Sequence, residues 1–345
     1  MRLRSGLLMG SLAFVLVAAA CGGDDGGNGG NEGGNGGNGG DGGGTTALTI
    51  VTEWSYPDPL WIPFLAADDQ GYYREAGLDV TIQPPPDNSS TAKMLALGEA
   101  QVGLSTTSDV VFAVGEGLPV TSVSNMTQSN NWGLFQLGDQ PVDIPALKGK
   151  TVGIYNDSWT AAMLPLMLES GGLTMDDVDT VAATGSVIPL LLSGKLDVAT
   201  EVTNLGGVEI STSGGEAFTQ LLAPEVGAPD TPIWVYVANS DWASANPDLA
   251  TAWLEATRKG IEWASQNAED AVTLFEETYP EAATDNGYNL EAWNATIPLL
   301  TVGGGYPAQT DEMWAAFTAA LVDAGQLDQA LAPGEYYTND YAPPS

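Results

Sequence analysis

The chain has no histidine, one cysteine, and only nine lysines and arginines against 44 aspartates and glutamates. Without histidine, the commonest general base and metal ligand is missing. No Ser/His hydrolytic arrangement or histidine-bearing metal centre can be assembled. A lone cysteine, Cys21, excludes a disulfide within the chain. The net charge of −35 repels nucleic acid and anionic lipid and suits a solvated acidic coat. Long apolar runs are scarce too. The longest, Leu7 to Ala20, is too short for a comfortable bilayer span.

That run is preceded by Arg2 and Arg4 and ends in Ala18-Ala19-Ala20, the layout of an export signal peptide over residues 1–20. Cys21 follows directly. Its position resembles the bacterial lipobox, although Ala18 stands where that motif usually has leucine. The resemblance implies a diacylglycerol thioether on Cys21, which would anchor the chain to the outer face of the cytoplasmic membrane. The alternative is a free thiol behind an ordinary signal. Residues 22–44 are Gly, Asn, Asp and one Glu. They have nothing to bury and read as a flexible tether (21–46 with the lipidated cysteine), with a reach of about 25 Å.

From Thr46 onward the composition is that of a folded α/β protein. Short β-branched runs, such as Leu48–Thr52, Leu78–Ile82, Val102–Leu104 and Pro119–Ser124, alternate with helical patterns over Pro59–Ala76, Thr91–Leu97 and Ser105–Val114. A second series follows: strands at Trp132–Leu137, Thr151–Tyr155, Val178–Ala182, Leu196–Thr200 and Ile233–Ala238, with helices at Ser158–Ser170 and Ser186–Leu192. After Pro247 the pattern is helical: Pro247–Asn267, Ala268–Thr278, Leu290–Leu299 and Asp311–Ala324. This alternation predicts two mostly parallel, helix-covered sheets. The expected boundaries are 47–128 plus 237–345 for a first lobe and 129–236 for a second, with a ligand cleft between them.

In an open α/β sheet, ligands sit in loops at the carboxyl ends of strands. Glu53, Trp54, Tyr56 and Trp61 occupy the loop after the first strand, and Ser105, Thr106 and Thr107 precede a helix whose free N–H groups favour partial negative charge. Asp157, Ser158 and Trp159 occupy the equivalent turn of the second lobe, and Glu201, Thr203 and Asn204 follow the strand LDVAT. Trp132 and Tyr306, the latter after Gly303-Gly304-Gly305, are further aromatic candidates. Trp253, Trp263, Trp293 and Trp314 sit at helical spacing and read as packing. Capping for the hydroxyls and acids, and solvent exposure for Glu201, are the plain structural alternatives. No Lys or Arg falls in a strand-end loop. Aromatic rings with carboxylates therefore point to a neutral or basic heteroaromatic ligand rather than an anion.

The segments GYYREAGLDVTI (71–82), LALGEAQVGLSTTSDVVFAVGEGLPVTSV (95–123), LKGKTVGI (147–154), NPDLATAWLEATRKGIEWASQNAEDAVTLF (246–275) and YYTNDYAP (336–343) occur in an order that resembles the type II periplasmic solute-binding proteins of ABC importers. They are similar to the branch holding sulfonate, taurine and nitrate receptors, riboflavin receptors, and thiamine-pyrimidine receptors and synthases. The YTND end is closest to the pyrimidine and riboflavin members. The resemblance implies an α/β, two-lobed type II periplasmic binding protein fold with an interlobe cleft. It implies a monomeric, exported, non-enzymatic receptor that needs no cofactor or metal and hands a thiamine-precursor pyrimidine or riboflavin-like ligand to an ABC permease. It leaves open a sulfonate, taurine or nitrate receptor and a sensor domain. The fungal-type pyrimidine synthases of this family consume an active-site histidine, which this chain lacks.

Overall fold

The computed structural model describes residues 44–183, 185–300, 306 and 308–342. The signal peptide, Cys21, the tether as far as residue 43, and Gly303 to Gly305 lie outside the described residues. The strands, in chain order, are β1 (Thr46–Val51), β2 (Leu78–Gln83), β3 (Val102–Thr106), β4 (Val120–Asn125), β5 (Trp132–Leu137), β6 (Thr151–Tyr155), β7 (Asp179–Ala183), β8 (Val198–Val202), β9 (Phe218–Leu222) and β10 (Trp234–Asn239).

They form two five-stranded sheets of matching order, β2-β1-β3-β10-β4 and β7-β6-β8-β5-β9. In the first, β1 runs parallel to β2 and β3, and β10 is antiparallel to β3 and β4. In the second, β6 runs parallel to β7 and β8, and β5 is antiparallel to β8 and β9. The reversed strand of each sheet is the first one laid down after the chain crosses from the other sheet. The sheets are thus mostly parallel, as the alternation predicts. Edge strand β9 is additional: its alternation is weak and only half-buried. Because β10 pairs with β3 and β4 from Trp234 onward, residues 234–236 lie in the first sheet. The return crossing comes just before the expected boundary at 236.

The two crossings run side by side. Asn130 N–H donates to Asp230 Oδ1 (2.8 Å) and its Nδ2 to the Pro229 carbonyl (3.1 Å). Adjacent extended connections of this kind are the geometry of a hinge.

Helices explain the rest of the packing. Helix Pro247–Gln266 buries Ala250, Trp253, Leu254, Thr257, Gly260, Ile261 and Ala264, an i, i+3, i+4 stripe. It crosses helix Ile62–Asp69 so closely that a Cβ on Gly260 would lie 2.3 Å from the Pro63 carbonyl oxygen. The continuous helix expected over Pro59–Ala76 is instead a 3-10 turn (Pro59–Trp61), helix Ile62–Asp69 and a short turn, Tyr72–Glu75. Gly71 breaks it by adopting φ 77°, a left-handed conformation open to glycine. Among the described residues, no helix is long and apolar enough to cross a membrane.

Candidate functional site

The strand-end loops of both sheets converge on a cavity of about 140 Å³. From the first lobe, the loop after β1 contributes Glu53, Trp54, Tyr56 and Asp58, and Thr106 comes from the end of β3. From the second, the end of β6 and the following helix contribute Tyr155, Asp157, Trp159 and Thr160, while the end of β8 and the next turn contribute Glu201, Val202 and Leu205. Trp132, Ile233 and Trp234, from the crossing segments, form the back, and Asn88, Ser186, Glu209 and Tyr288 complete the rim. No lysine or arginine is among these residues.

The aromatic walls are braced from behind. Trp54 meets Trp234 edge-on at 6.0 Å and leans on Tyr56 at 6.5 Å. Trp159 stacks on Phe317 at 5.6 Å with ring planes 8° apart. Such contacts fix the rings in place before any ligand arrives. The indole Nε1 atoms of Trp54 and Trp159 are buried without a hydrogen-bond acceptor.

The acids differ in how they are held. Glu201 accepts from Tyr155 OH (2.5 Å) and from Val202 N–H (2.9 Å). Asp157 caps helix Ser158–Ser170 by accepting from Thr160 N–H (2.7 Å) and Thr160 Oγ1 (3.0 Å). Glu209 accepts from Ser186 Oγ (2.5 Å), and Asp58 from Leu60 N–H (2.7 Å). Glu53 is 3% exposed, and its Oε2 has no partner.

Burial pushes all five carboxyls upward, because the charged form loses hydration. Glu201 rises to about 7 despite the Tyr155 and Val202 donors, and Asp58 to about 8 despite the Leu60 donor. Glu53 rises well above the usual range through burial, with Asp109 beside it adding to the effect. Burial also raises Asp157 and Glu209, each partly offset by its donors.

Of the residues expected at the site from sequence, Glu53, Trp54, Tyr56, Thr106, Trp132, Asp157, Trp159 and Glu201 line this cavity together. The others lie elsewhere. Trp61 is fully buried and meets Tyr279 edge-on at 5.4 Å, because the Pro59–Trp61 turn rotates it into the core. Ser105 Oγ donates to Asp109 Oδ2 (3.1 Å), behind the cavity wall. Thr107 Oγ1 donates to the Pro232 carbonyl (2.6 Å) and ties its helix to the return crossing.

Ser158 Oγ instead spans the lobes, to Ser108 Oγ (2.7 Å) and Thr106 Oγ1 (3.2 Å). Thr203 and Asn204 start a π-helical turn, where Asn131 Nδ2 donates to Thr203 Oγ1 (2.9 Å) and Asn204 Oδ1 (2.8 Å). Asn204 Nδ2 in turn reaches Thr296 Oγ1 (2.8 Å). Tyr306 packs on Tyr236 at 5.5 Å and donates its hydroxyl proton to the Leu254 carbonyl (3.0 Å).

Several lining residues were not singled out from sequence as ligand contacts: Asp58, Tyr155, Trp234 and Tyr288. The first two had a usable signal. Asp58 shares the opening loop with Trp54, and Tyr155 is the last residue of a parallel strand. Glycine supplies another hidden element. A Cβ on Gly206 would lie 1.6 Å from Glu201 Cγ, so the glycine makes room for the Glu201 side chain.

The lobes touch across the cleft. Besides the Ser158 bonds, Gln326 Nε2 donates to the Ala162 carbonyl (2.9 Å).

Comparison with known proteins gives the same fold. The periplasmic aliphatic sulphonate binding protein of Escherichia coli superposes with a TM-score of 0.66 at 15% identity, covering 84% of this chain and 91% of that one. In sequence, the formylaminopyrimidine-binding protein of Halalkalibacterium halodurans is 24% identical over 294 residues, 84% of this chain and 89% of its own. A 4-amino-5-hydroxymethyl-2-methylpyrimidine phosphate synthase of Saccharomyces cerevisiae is 24% identical over 259 residues, 71% of this chain and 74% of its own. The family model described as "NMT1/THI5 like" matches residues 58–271. With more than half of its length matched, the chain belongs to the NMT1/THI5-like family, built on the periplasmic-binding-protein fold.

Proposed function

We propose that this chain is the exported solute-binding component of an ABC importer, and that it closes its two lobes over a single-ring aminopyrimidine of the thiamine-precursor class. The observation that carries this reading is the cavity itself: tryptophan walls, carboxylate edges and no cation, in about 140 Å³. A cavity of about 150 Å³ accepts benzene, so one six-membered ring with short substituents suits this volume. The three fused rings of a riboflavin-like ligand ask for more room, which favours the smaller ring. Indole faces stack on the ring, and a carboxylate accepts from its amino edge.

The formylaminopyrimidine-binding relative supports the same ligand class. A sulfonate or nitrate receptor is disfavoured, because anion sites draw on Arg, Lys or clustered N–H donors. A synthase that consumes its own histidine is disfavoured because this chain has none. Anchoring through Cys21 and delivery to a membrane permease complete the proposal. Ligand release then follows from reopening at the paired crossings.

Tryptophan fluorescence titration of the purified protein tests the reading. Aminopyrimidines are expected to bind, whereas taurine, nitrate and riboflavin give no response. Trp54→Ala is expected to weaken the pyrimidine by about 1–3 kcal/mol, the value of one base–aromatic stack. Tight nitrate or taurine binding without a pyrimidine response would sink the proposal.

A further inference from the structure

The two lobes carry net charge of the same sign. The second lobe, residues 129–233, holds 13 aspartates and glutamates against three lysines, a formal −10. The first, residues 46–128 and 234–342, holds 27 against four lysines and arginines, a formal −23. The cations do not bridge them. Among the described residues there are three ion pairs, Lys148–Asp177, Lys150–Asp197 and Arg258–Glu262, and each lies within one lobe. Contacts that cross from lobe to lobe are neutral: Ser158 to Ser108, Gln326 to the Ala162 carbonyl, Asn204 to Thr296, and the Trp159–Phe317 stack. At the cavity, acid faces acid. Burial dominates the raised carboxyls there, but Asp157 adds to the rise of Glu53, Asp109 to that of Asp157 and Glu201 to that of Asp58, each time from the opposite lobe.

We infer that ionic strength sets the closure of this receptor: like charge holds the lobes apart in dilute salt, and screening lets them close on a ligand in concentrated salt. The inference rests on the reading above that the lobes close over a ligand, and adds what governs that step. Neutral hydrogen bonds and a ring stack attract only at contact distance, and salt hardly touches them. Repulsion between two charged bodies acts over the Debye length, about 30 Å at 0.01 M salt, about 10 Å at 0.1 M and about 3 Å at 1 M. The first of these is comparable to the width of a lobe of about 100 residues, so charges anywhere on the two surfaces repel. Net charge far from zero works against a compact state in this way, and parting the lobes relieves it. A neutral ligand adds no salt dependence of its own. A cationic one would bind an acidic cavity less tightly as salt rises.

Two measurements on the full chain test this, each made in the wild type and in a variant combining Asp139→Lys, Glu169→Lys, Asp176→Lys and Glu216→Lys. These four acids are exposed and outside the cavity lining, and their replacement brings the second lobe to a formal −2. The first measurement is calorimetric titration with a hydroxymethyl-substituted aminopyrimidine. Wild-type affinity is expected to rise at least about tenfold between about 0.01 M and about 1 M NaCl. The variant is expected to bind at low salt about as tightly as the wild type does at high salt, and to change by less than about threefold. The second is small-angle scattering without added ligand, extrapolated to zero concentration. The wild-type radius of gyration is expected to fall with salt, while the variant, with the same tether, is compact throughout. Wild-type affinity that stays level or weakens with salt overturns the inference. Equal tightening in both proteins also overturns it, because general salting-out of apolar surface does not distinguish them. If the pyrimidine binds at no salt concentration, the aminopyrimidine reading falls, and scattering still decides: a wild-type radius that ignores salt overturns the inference, and one that shrinks while the variant's does not upholds it.

Discussion

The two lobes share one strand order but bring their acids to the cavity in different states. On the second-lobe wall, Glu201, Asp157 and Glu209 are each held by protein donors. On the first-lobe wall, Leu60 N–H holds Asp58, but Glu53 Oε2 lies beside Asp109 with no protein donor. A carboxylate gripped by two donors has its rotamer and direction set in advance. One without donors bears its desolvation uncompensated until something supplies a hydrogen. The second-lobe wall is therefore a preorganised template. On the proposed reading, a ligand between the two walls would complete the first-lobe side and gain a differential hold on the closed state.

The largest expected effect comes from breaking the template side. On the proposed reading Glu201→Ala removes a ligand acceptor, and it also strands Tyr155 OH and Val202 N–H in a buried site. A lost charged hydrogen bond together with unsatisfied partners is worth about 3 kcal/mol, so affinity should fall by roughly a hundredfold and the melting temperature should drop. Gly206→Ala sharpens the point. Its Cβ would lie 1.6 Å from Glu201 Cγ, so the carboxyl must move although its chemistry is untouched. Titration of both variants should show comparable losses. Wild-type affinity in Gly206→Ala would mean that the position of Glu201 is not what matters.

Next in size is a pH dependence. Burial holds Glu201 up near 7 and Asp58 up near 8, whereas both release their protons near 4 in an unfolded chain. Between those values the folded state binds more protons than the unfolded one, so stability falls as pH rises. The penalty is absent below about pH 4, where both states are protonated, and complete above about pH 8. The melting temperature of the ligand-free protein should accordingly decline from about pH 5 to pH 8. Glu201→Gln and Asp58→Asn should each flatten the curve. Asp177, outside the cavity, acts in a separate window: the Lys148 ammonium holds it down to about 2, so its contribution is lost only as pH falls toward that value. A flat profile from pH 5 to 8 would show that the cavity acids ionise in the fold without penalty.

Much of this fold was legible in the sequence, because strand and helix periods depend on local spacing. Strands β5 and β6 and helices Ser158–Ser170 and Ala268–Thr278 fall where the patterns put them. The site was legible only where the strand-end rule was enough, as for Trp54, Asp157 and Glu201. Trp54 and Trp61 show its limit. Both sit in one loop, but the direction of Trp61 is set by Tyr279, more than two hundred residues away, and no local pattern encodes that contact. Asn204 and Thr203 fail for a similar reason: the π-helical turn redirects them to Asn131 and Thr296. Tyr288 reaches the rim from the start of helix Tyr288–Thr296, and only tertiary packing brings it there.

The smallest effect tests the seam between the two walls. Ser158 Oγ joins Ser108 Oγ and Thr106 Oγ1 across the closed lobes, at the starts of helices Ser158–Ser170 and Thr107–Gly115. It does not line the cavity. Ser158→Ala therefore removes only neutral interlobe hydrogen bonds, worth about 0.5–1.5 kcal/mol. Ser158 is not part of the hydrophobic core, so the melting temperature of the ligand-free protein should change little. The cost falls on closure alone, and affinity should weaken by a few-fold, carried mainly by faster dissociation in a stopped-flow measurement. A loss well beyond about tenfold would place Ser158 on the ligand itself and make it part of the second-lobe template.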